Sequence, residues 1–303
     1  MSVIAITGAT GFLGQMVVDQ AVASGVRVRA LARTAPPPRD GVEWIAGALA
    51  DDDALDRLCA GADAVLHAAG AVNVPSRAAF AAANIAGTQA MVDAAQRAGV
   101  RRFVHISSLA ARHPMLSNYG WSKAGAEDVV RASPLDWTII RPPGIYGPRD
   151  RDMLELFAMA QRGIMLLPPA GRGSWVHVAD LARLLLALCA ATAEHFGQIY
   201  EADDGTPGGY SHRELGRAIT SAMGRRAITL SAPRLLLRLA ARADRLVRGD
   251  AARLTPDRAA YMAHPDWVVD AALAPPAQLW QPGISLVDGV ARTAAWYRDA
   301  GWL

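Results

Sequence analysis

Lysine is almost missing from this chain. Of its 31 lysine and arginine residues only Lys123 is lysine, and the rest are arginine. The arginines are scattered and the net charge is +3, so the dense basic block of a nucleic-acid-binding protein is absent. Cysteine is scarce as well. Cys59 and Cys189 lie far apart and outside metal-ligand spacing, which reads as two buried thiols in a reducing compartment rather than a disulfide framework. No apolar run approaches the about 20 residues of a membrane-spanning helix. The longest, "LLLALCAATA", follows directly on Arg183. The opening "MSVIAITGATG" enters a strand and a glycine turn without the basic and apolar regions of a signal peptide. His113 and His177 have no second ligand at metal spacing, so both are assigned to structure and no metal site is expected. The expectation is a cytoplasmic protein with no membrane span and no nucleic-acid partner.

What is present is a rich apolar content, 52% of residues against 19% charged, which suits a globular chain and excludes disorder. The first half alternates short β-rich runs with helical patterns. "VIAIT", "VRVRAL", "VEWIAG", "ADAVLHAAG", "RRFVHISS" and "LDWTIIRP" read as six strands, with helical segments between most of them. Such alternation predicts an α/β fold, a doubly wound parallel sheet with helices on both faces. After about residue 145 proline, glycine and arginine become frequent and helical patterns dominate. The expected organisation is a nucleotide-binding domain over 1–170 and a smaller, mostly helical substrate lobe over 171–303. The boundary is approximate, and the chain is free to cross between lobes.

The first strand runs into "TGATGFLG", which places Gly8, Gly11 and Gly14 between strand and helix. Gly8 allows the tight turn, Gly11 lets backbone approach a pyrophosphate, and Gly14 lets helix and sheet pack closely. The helix N-terminus adds N–H donors and positive potential, so the motif predicts a dinucleotide. An NAD site would place Asp or Glu at the end of the second strand. Ala30, Leu31 and Ala32 stand there, followed by Arg33, whose guanidinium suits a 2′-phosphate. NADP is therefore the preferred cofactor, with NAD the alternative.

Tyr119 and Lys123 sit at i and i+4 of one helix and share a face. Ser107 and Ser108 end the fifth strand, at the sheet edge where ligands bind in open parallel sheets. A free phenol titrates near about 10, and an ammonium about 4 Å away supplies roughly the 4 kcal/mol needed to make it a base at neutral pH. A compact point charge with three rotatable donors suits that position better than a planar guanidinium. This is why one lysine would survive among so many arginines.

Together with "HAAG" (67–70), "NIAGT" (84–88), "ISS" (106–108), "YGWSK" (119–123), "RPPGIYGP" (141–148) and "VHVAD" (176–180), the glycine turn makes the chain resemble the extended short-chain dehydrogenases/reductases, the superfamily of NAD-dependent epimerases and dehydratases. The resemblance implies a Rossmann-type fold and a catalytic triad of Ser108, Tyr119 and Lys123. Tyr119 would exchange the proton, Ser108 would hold the substrate oxygen, and Lys123 would bind the nicotinamide ribose and lower the tyrosine pKa. It further implies cofactor contacts from Thr10, Phe12 and Leu13 in the first turn. His67, Ala68, Ala69 and Gly70 would run beside the ribose, Ile106 would lie at the fifth strand end, and Pro142, Gly144 and Ile145 would lie against the nicotinamide. Asn84 would begin a helix beside the site, as a contact or as a plain cap. Where relatives carry "GDL" this chain has "GAL", so Ala48 and Leu49 stand where an aspartate would hold adenine.

The branch of 3β-hydroxysteroid dehydrogenases and dihydroflavonol reductases is the nearest in resemblance, through "APRLLLRLAARADRLVRG", "LTPD" and the final "SLVDGVARTAAWYRDAGWL". That favours hydride transfer between nicotinamide and a secondary alcohol or ketone of an apolar small molecule. Two other functions stay open: a sugar-nucleotide epimerase or dehydratase, and a non-catalytic NAD(P)-binding sensor or assembly subunit. A homodimer is also left open. In the segment 233–249, Arg234, Arg238, Arg242 and Arg245 share one helical face and leucines the other, which reads first as a solvated face over a buried one, with a lid or a membrane-surface helix as alternatives.

Overall fold

The computed structural model describes residues 2–168, 170–249 and 254–303. Contacts divide the chain into two units with interleaved segments. One contains Met1–Arg141, Leu181–Tyr200 and Gln278–Trp280, and the other Pro142–Asp180, Glu201–Ala277 and Gln281–Leu303. The chain thus passes between the units more than once.

The first unit is built on β1 (Val3–Thr7), α1 (Phe12–Ala23), β2 (Arg27–Ala32), β3 (Val42–Ala46), α2 (Asp52–Cys59), β4 (Ala64–His67), α3 (Arg77–Phe80), α4 (Gly87–Arg97), β5 (Arg102–Ile106), α5 (Asn118–Ala132) and β6 (Asp136–Ile140). β1 is buried at every residue, as a β-branched run covered on both faces must be. Asp51 caps α2 by accepting the Ala54 N–H, and Ser117 caps α5 by accepting that of Gly120. All sheet pairs are parallel. Apolar side chains from one sheet face, including Val65, Phe103 and Ile139, form a core with Leu55 and Leu58 of α2 and Met91 and Val92 of α4.

The sequence reading expected six strands, and the sheet has seven. Gln198–Tyr200 pairs in parallel with β6, giving the order 198–200, β6, β5, β4, β1, β2, β3. Three residues with one fully apolar side chain carry too little periodicity to be read as a strand. Their pairing is set by the neighbouring strand, not by local pattern.

The second unit contains β7 (Gly144–Tyr146), α6 (Arg151–Gln161), β8 (Ile164–Leu167), β9 (Arg172–Gly173), β10 (Trp175–His177), β11 (Tyr210–Ser211), α7 (His212–Ala222), β12 (Ile228–Ser231), α8 (Arg234–Arg248), α9 (Pro256–Met262), β13 (Asp266–Trp267) and α10 (Leu286–Asp299). Short strand pairs thus accompany the expected helices. Its own core gathers Tyr146, Phe157, Met165, Leu215, Ile219 and Tyr297. Among the described residues no helix is long and apolar enough to cross a membrane.

Candidate active site

The glycine turn is shaped by backbone contact. Gly8 has φ +74°, and a Cβ there would stand 2.7 Å from the backbone of Ala68 and Ala69. A Cβ on Gly14 would lie 2.0 Å from the Gly8 carbonyl oxygen, so α1 can approach the turn only through a glycine. Gly11 differs: its Cβ would meet only the Gly8 oxygen, at 3.2 Å, and its outer side is open. Gly11 is also the N-cap of α1, makes no side-chain cap bond, and no acidic residue occupies the first turn. An open glycine at an uncapped helix N-terminus fits an anionic pyrophosphate. Thr10, Phe12 and Leu13 lie in the same turn.

Ser108 and Tyr119 are brought together, with Lys123 on the same helix as Tyr119. Ser108 stands just past β5 and is nearly buried. Tyr119, at the start of α5, hydrogen-bonds to its side chain. Gly120 makes that approach feasible, because a Cβ there would stand 2.6 Å from the Ala110 carbonyl oxygen. Lys123 is buried one turn further along and donates from Nζ to the Ile106 carbonyl at 2.6 Å. Burial lowers the Lys123 pKa to about 8, with Glu127 opposing the shift.

At Tyr119 burial outweighs the other influences. The Tyr119 pKa is raised, chiefly by burial, and the group that pulls it down is Ser108. The ammonium faces the Ile106 carbonyl and has itself lost solvation.

Behind the triad lies a buried network that sequence reasoning missed. Glu127, only 1% exposed, accepts from Ser107 Oγ at 2.5 Å and from Arg141 Nε at 2.8 Å and Nη2 at 2.6 Å. It follows Lys123 by one turn of α5. The network ties that helix to the ends of β5 and β6. A Glu four residues after the lysine was the available signal, but its partners are distant in sequence.

The "HAAG" turn is organised by His67. Its Nδ1 is 2.7 Å from Thr7 Oγ1 and its Nε2 is 3.1 Å from Thr88 Oγ1. Thr88 Oγ1 donates to the Asn84 carbonyl at 2.6 Å, which leaves it an acceptor toward the ring. The Nε2–H tautomer follows, with Thr7 donating to Nδ1 and accepting from Ala69 N–H at 3.2 Å. Burial takes the His67 pKa down to about 3, so the ring is neutral. Its side chain is thus committed internally.

Asn84 neither begins nor caps a helix. It sits inside a π-helical turn over Ala81–Ala86, 2% exposed. Its Oδ1 accepts from Ala71 N–H at 2.6 Å, while Nδ2 bonds the Ala71 carbonyl at 3.0 Å and Ser122 Oγ at 2.8 Å. It clips the turn after Gly70 to α5. A Cβ on Gly70 would lie 3.0 Å from Asn84 Oδ1 and 3.8 Å from Lys123 Nζ, so Gly70, Asn84, Ile106 and Lys123 form one cluster.

Other expected residues take their places by element. Arg33 is exposed just past the end of β2. Ala48 and Leu49 follow β3, and a Cβ on Gly87 would strike Leu49 at 2.7 Å, so Leu49 packs on the start of α4. Pro142, Gly144 and Ile145 belong to the second unit, where Gly144 and Ile145 pair with Trp175 and Val176 of β10. His177 is buried there with its pKa lowered to about 4.

Residues 8–191 match the family model described as NAD(P)H-binding. Over 315 residues the chain is 39% identical to the ceramide reductase of Caulobacter vibrioides, covering 99% of this chain and 96% of that protein. It is 28% identical to a dTDP-glucose 4,6-dehydratase of Actinoplanes sp., covering 97% of each. Its fold matches the DesIV double mutant, a dTDP-glucose 4,6-dehydratase from Streptomyces venezuelae solved with NAD and DAU bound, at TM-score 0.74 and 23% identity, covering 100% of this chain and 98% of that one. With its glycine cradle, parallel sheet and full-length relatives, the chain belongs to the NAD(P)H-binding family and to the extended short-chain dehydrogenase/reductase superfamily of epimerases and dehydratases.

Proposed function

We propose that this protein is an NADPH-linked reductase that converts a ketone on an apolar, ceramide-type lipid into a secondary alcohol. The observation that carries the reading is the Ser108–Tyr119 hydrogen bond, with the Lys123 ammonium held one turn away. Full-length similarity to a ceramide reductase supports the substrate class. Exposed Arg33 past β2 supports NADP over NAD.

The turn Gly8–Gly14 and the N-terminus of α1 would hold the pyrophosphate, and Lys123 with the Gly70 turn would border the nicotinamide ribose. When bound, the cofactor supplies the hydride that reaches the carbonyl carbon. Tyr119 gives its phenolic proton to the carbonyl oxygen as charge develops there. Ser108 donates a hydrogen bond to that same oxygen and orients it. A phenol that burial keeps protonated is suited to this direction. Lys123 stabilises the phenolate left behind, for which its positive charge must persist at working pH.

The test is turnover by the purified protein with NADPH and NADH, against long-chain keto-amides and against dTDP- and UDP-sugars. Reduction of the lipid ketone, lost about 100-fold or more in Tyr119→Phe while dinucleotide binding persists, is the expected result. Conversion of a sugar nucleotide without ketone reduction would instead make it an epimerase or dehydratase. Dinucleotide binding with no turnover, insensitive to Tyr119→Phe, would make it a sensor or assembly subunit. Arg33→Ala should weaken NADPH about tenfold and leave NADH unchanged.

A further inference from the structure

We infer that the second unit docks on an anionic lipid surface through the outward apolar arc of α8, with the outer face of the β8–β12 ribbon as a second apolar contact. The inference goes beyond the proposed reaction and holds whether or not that reaction is correct.

The sequence reading expected the leucine face of α8 to be buried, yet Leu235, Leu236, Leu239 and Leu246 are exposed; the side chain of Leu237 lies outside the described residues. At about 100° per residue, Leu235, Leu236, Leu239, Ala243, Leu246 and Val247 share one arc of about 120°. All six are exposed, Leu246 by 87% and Val247 by 84%. Ala241, on the opposite side of the helix, is the residue that is fully buried. Among the described side chains, the helix thus turns this apolar arc to solvent and buries Ala241. The side chains of Arg234, Arg238 and Arg245 lie outside the described residues; Arg242 is exposed at the edge of the arc.

The strand that precedes α8 repeats the anomaly. In the parallel ribbon Ile228 registers with Ile164, and Leu230 with Leu166. Cross-strand partners share a face, and all four side chains are more than half exposed. On the other face Met165 and Leu167 are buried in the core of the unit. A ribbon covering a core on one side normally carries polar residues on its outer side, and this one carries only aliphatics there.

Charge decides the occupant. Between residues 225 and 249 the chain has seven arginines and one acid, Asp244. Asp244 is itself paired with Arg248 at 3.3 Å. Arg162, Arg225 and Arg226 are exposed beside the starts of the two strands. Self-association through this face would bring the exposed Arg162, Arg225, Arg226 and Arg242 of two copies together, whereas anionic headgroups can meet these guanidinium groups as the leucines enter the interfacial layer. A helix of 15 residues fits that role and not a membrane span.

The experiment is sedimentation of the full-length protein with phosphatidylcholine vesicles, with and without phosphatidylglycerol, at low and high salt. Binding is expected to the anionic vesicles only and to weaken with salt. Leu246→Glu and the combined Leu235→Glu/Leu239→Glu change should each raise the lipid needed for half-maximal binding at least about tenfold. Melting temperature and dinucleotide affinity should stay at wild-type values. Ile228→Asn/Leu230→Asn reports on the ribbon in the same way. No capture by anionic vesicles at low salt, or equal capture of wild type and the α8 variants, overturns the inference. So does a wild-type dimer that these substitutions make monomeric without any vesicle binding, which would assign the face to a second copy of the chain.

Discussion

Glu127 holds Arg141 through both carboxylate oxygens, at 2.8 and 2.6 Å, while almost wholly shielded from water. The pair joins α5 to the end of β6, one helical turn from Lys123. Removing one member of a buried pair leaves the other charge without its counterion in a medium that solvates it poorly. Glu127→Gln should therefore cost about 3 to 5 kcal/mol in urea unfolding. Arg141→Met added to it should recover part of the loss. A cost for Glu127→Gln below about 1 kcal/mol would show that the pair is not what anchors the helix.

The three glycines of the first turn should separate fold from binding. Gly14→Ala forces a methyl to 2.0 Å from a backbone oxygen and should lower stability by more than about 3 kcal/mol. Gly11→Ala meets one atom at 3.2 Å and should stay within about 1 kcal/mol of wild type. Its dinucleotide affinity should nonetheless fall about tenfold or more, because the methyl fills the open side of the cradle. Melting curves and dinucleotide titration of both variants check this, and an unchanged affinity in Gly11→Ala would remove the turn from the site.

Gly120 places Tyr119. A methyl there would press on the Ala110 carbonyl at 2.6 Å and push the start of α5 away from Ser108. Gly120→Ala should reduce kcat about 10- to 100-fold with dinucleotide affinity unchanged. Equal kcat in the variant would show that the Ser108–Tyr119 contact is not needed for turnover.

Acid should destabilise the fold through its buried histidines. Burial lowers the pKa of His67 to about 3, of His177 to about 4, and of His105 well below its ordinary value. Each stays neutral in the native state while the unfolded chain protonates it below about 6.5. The unfolded state then binds more protons, so stability falls as pH drops from about 6.5 toward 4, by about 1.4 kcal/mol per pH unit for each ring. Asp150, raised to about 6 by burial, opposes them, since the native state binds its proton first. Urea midpoints across pH 4 to 7 should decline with at least one net proton, and His105→Leu should flatten the slope by one. A flat profile would contradict the burial of these rings.

Several parts of the molecule were legible in the residues alone. The glycine turn, the strand–helix alternation and the Tyr119–Lys123 spacing are local features, set by allowed backbone angles and by helical and strand periods. They put the glycine turn between β1 and α1, and Tyr119 and Lys123 on α5, before any contact was known. The seventh strand, the Glu127 network, the internal role of Asn84 and the committed ring of His67 were not legible. Each depends on partners from 13 to 60 residues away, and no local period records those.

The sequence by itself determined the fold class, the dinucleotide turn and which side chains could perform proton transfer, because covalent spacing and backbone sterics act within a few residues. Only the tertiary structure decided how those side chains are tuned. Burial raises the Tyr119 phenol and lowers the Lys123 ammonium, and α8 turns its leucines outward, because solvation depends on what the rest of the chain brings alongside.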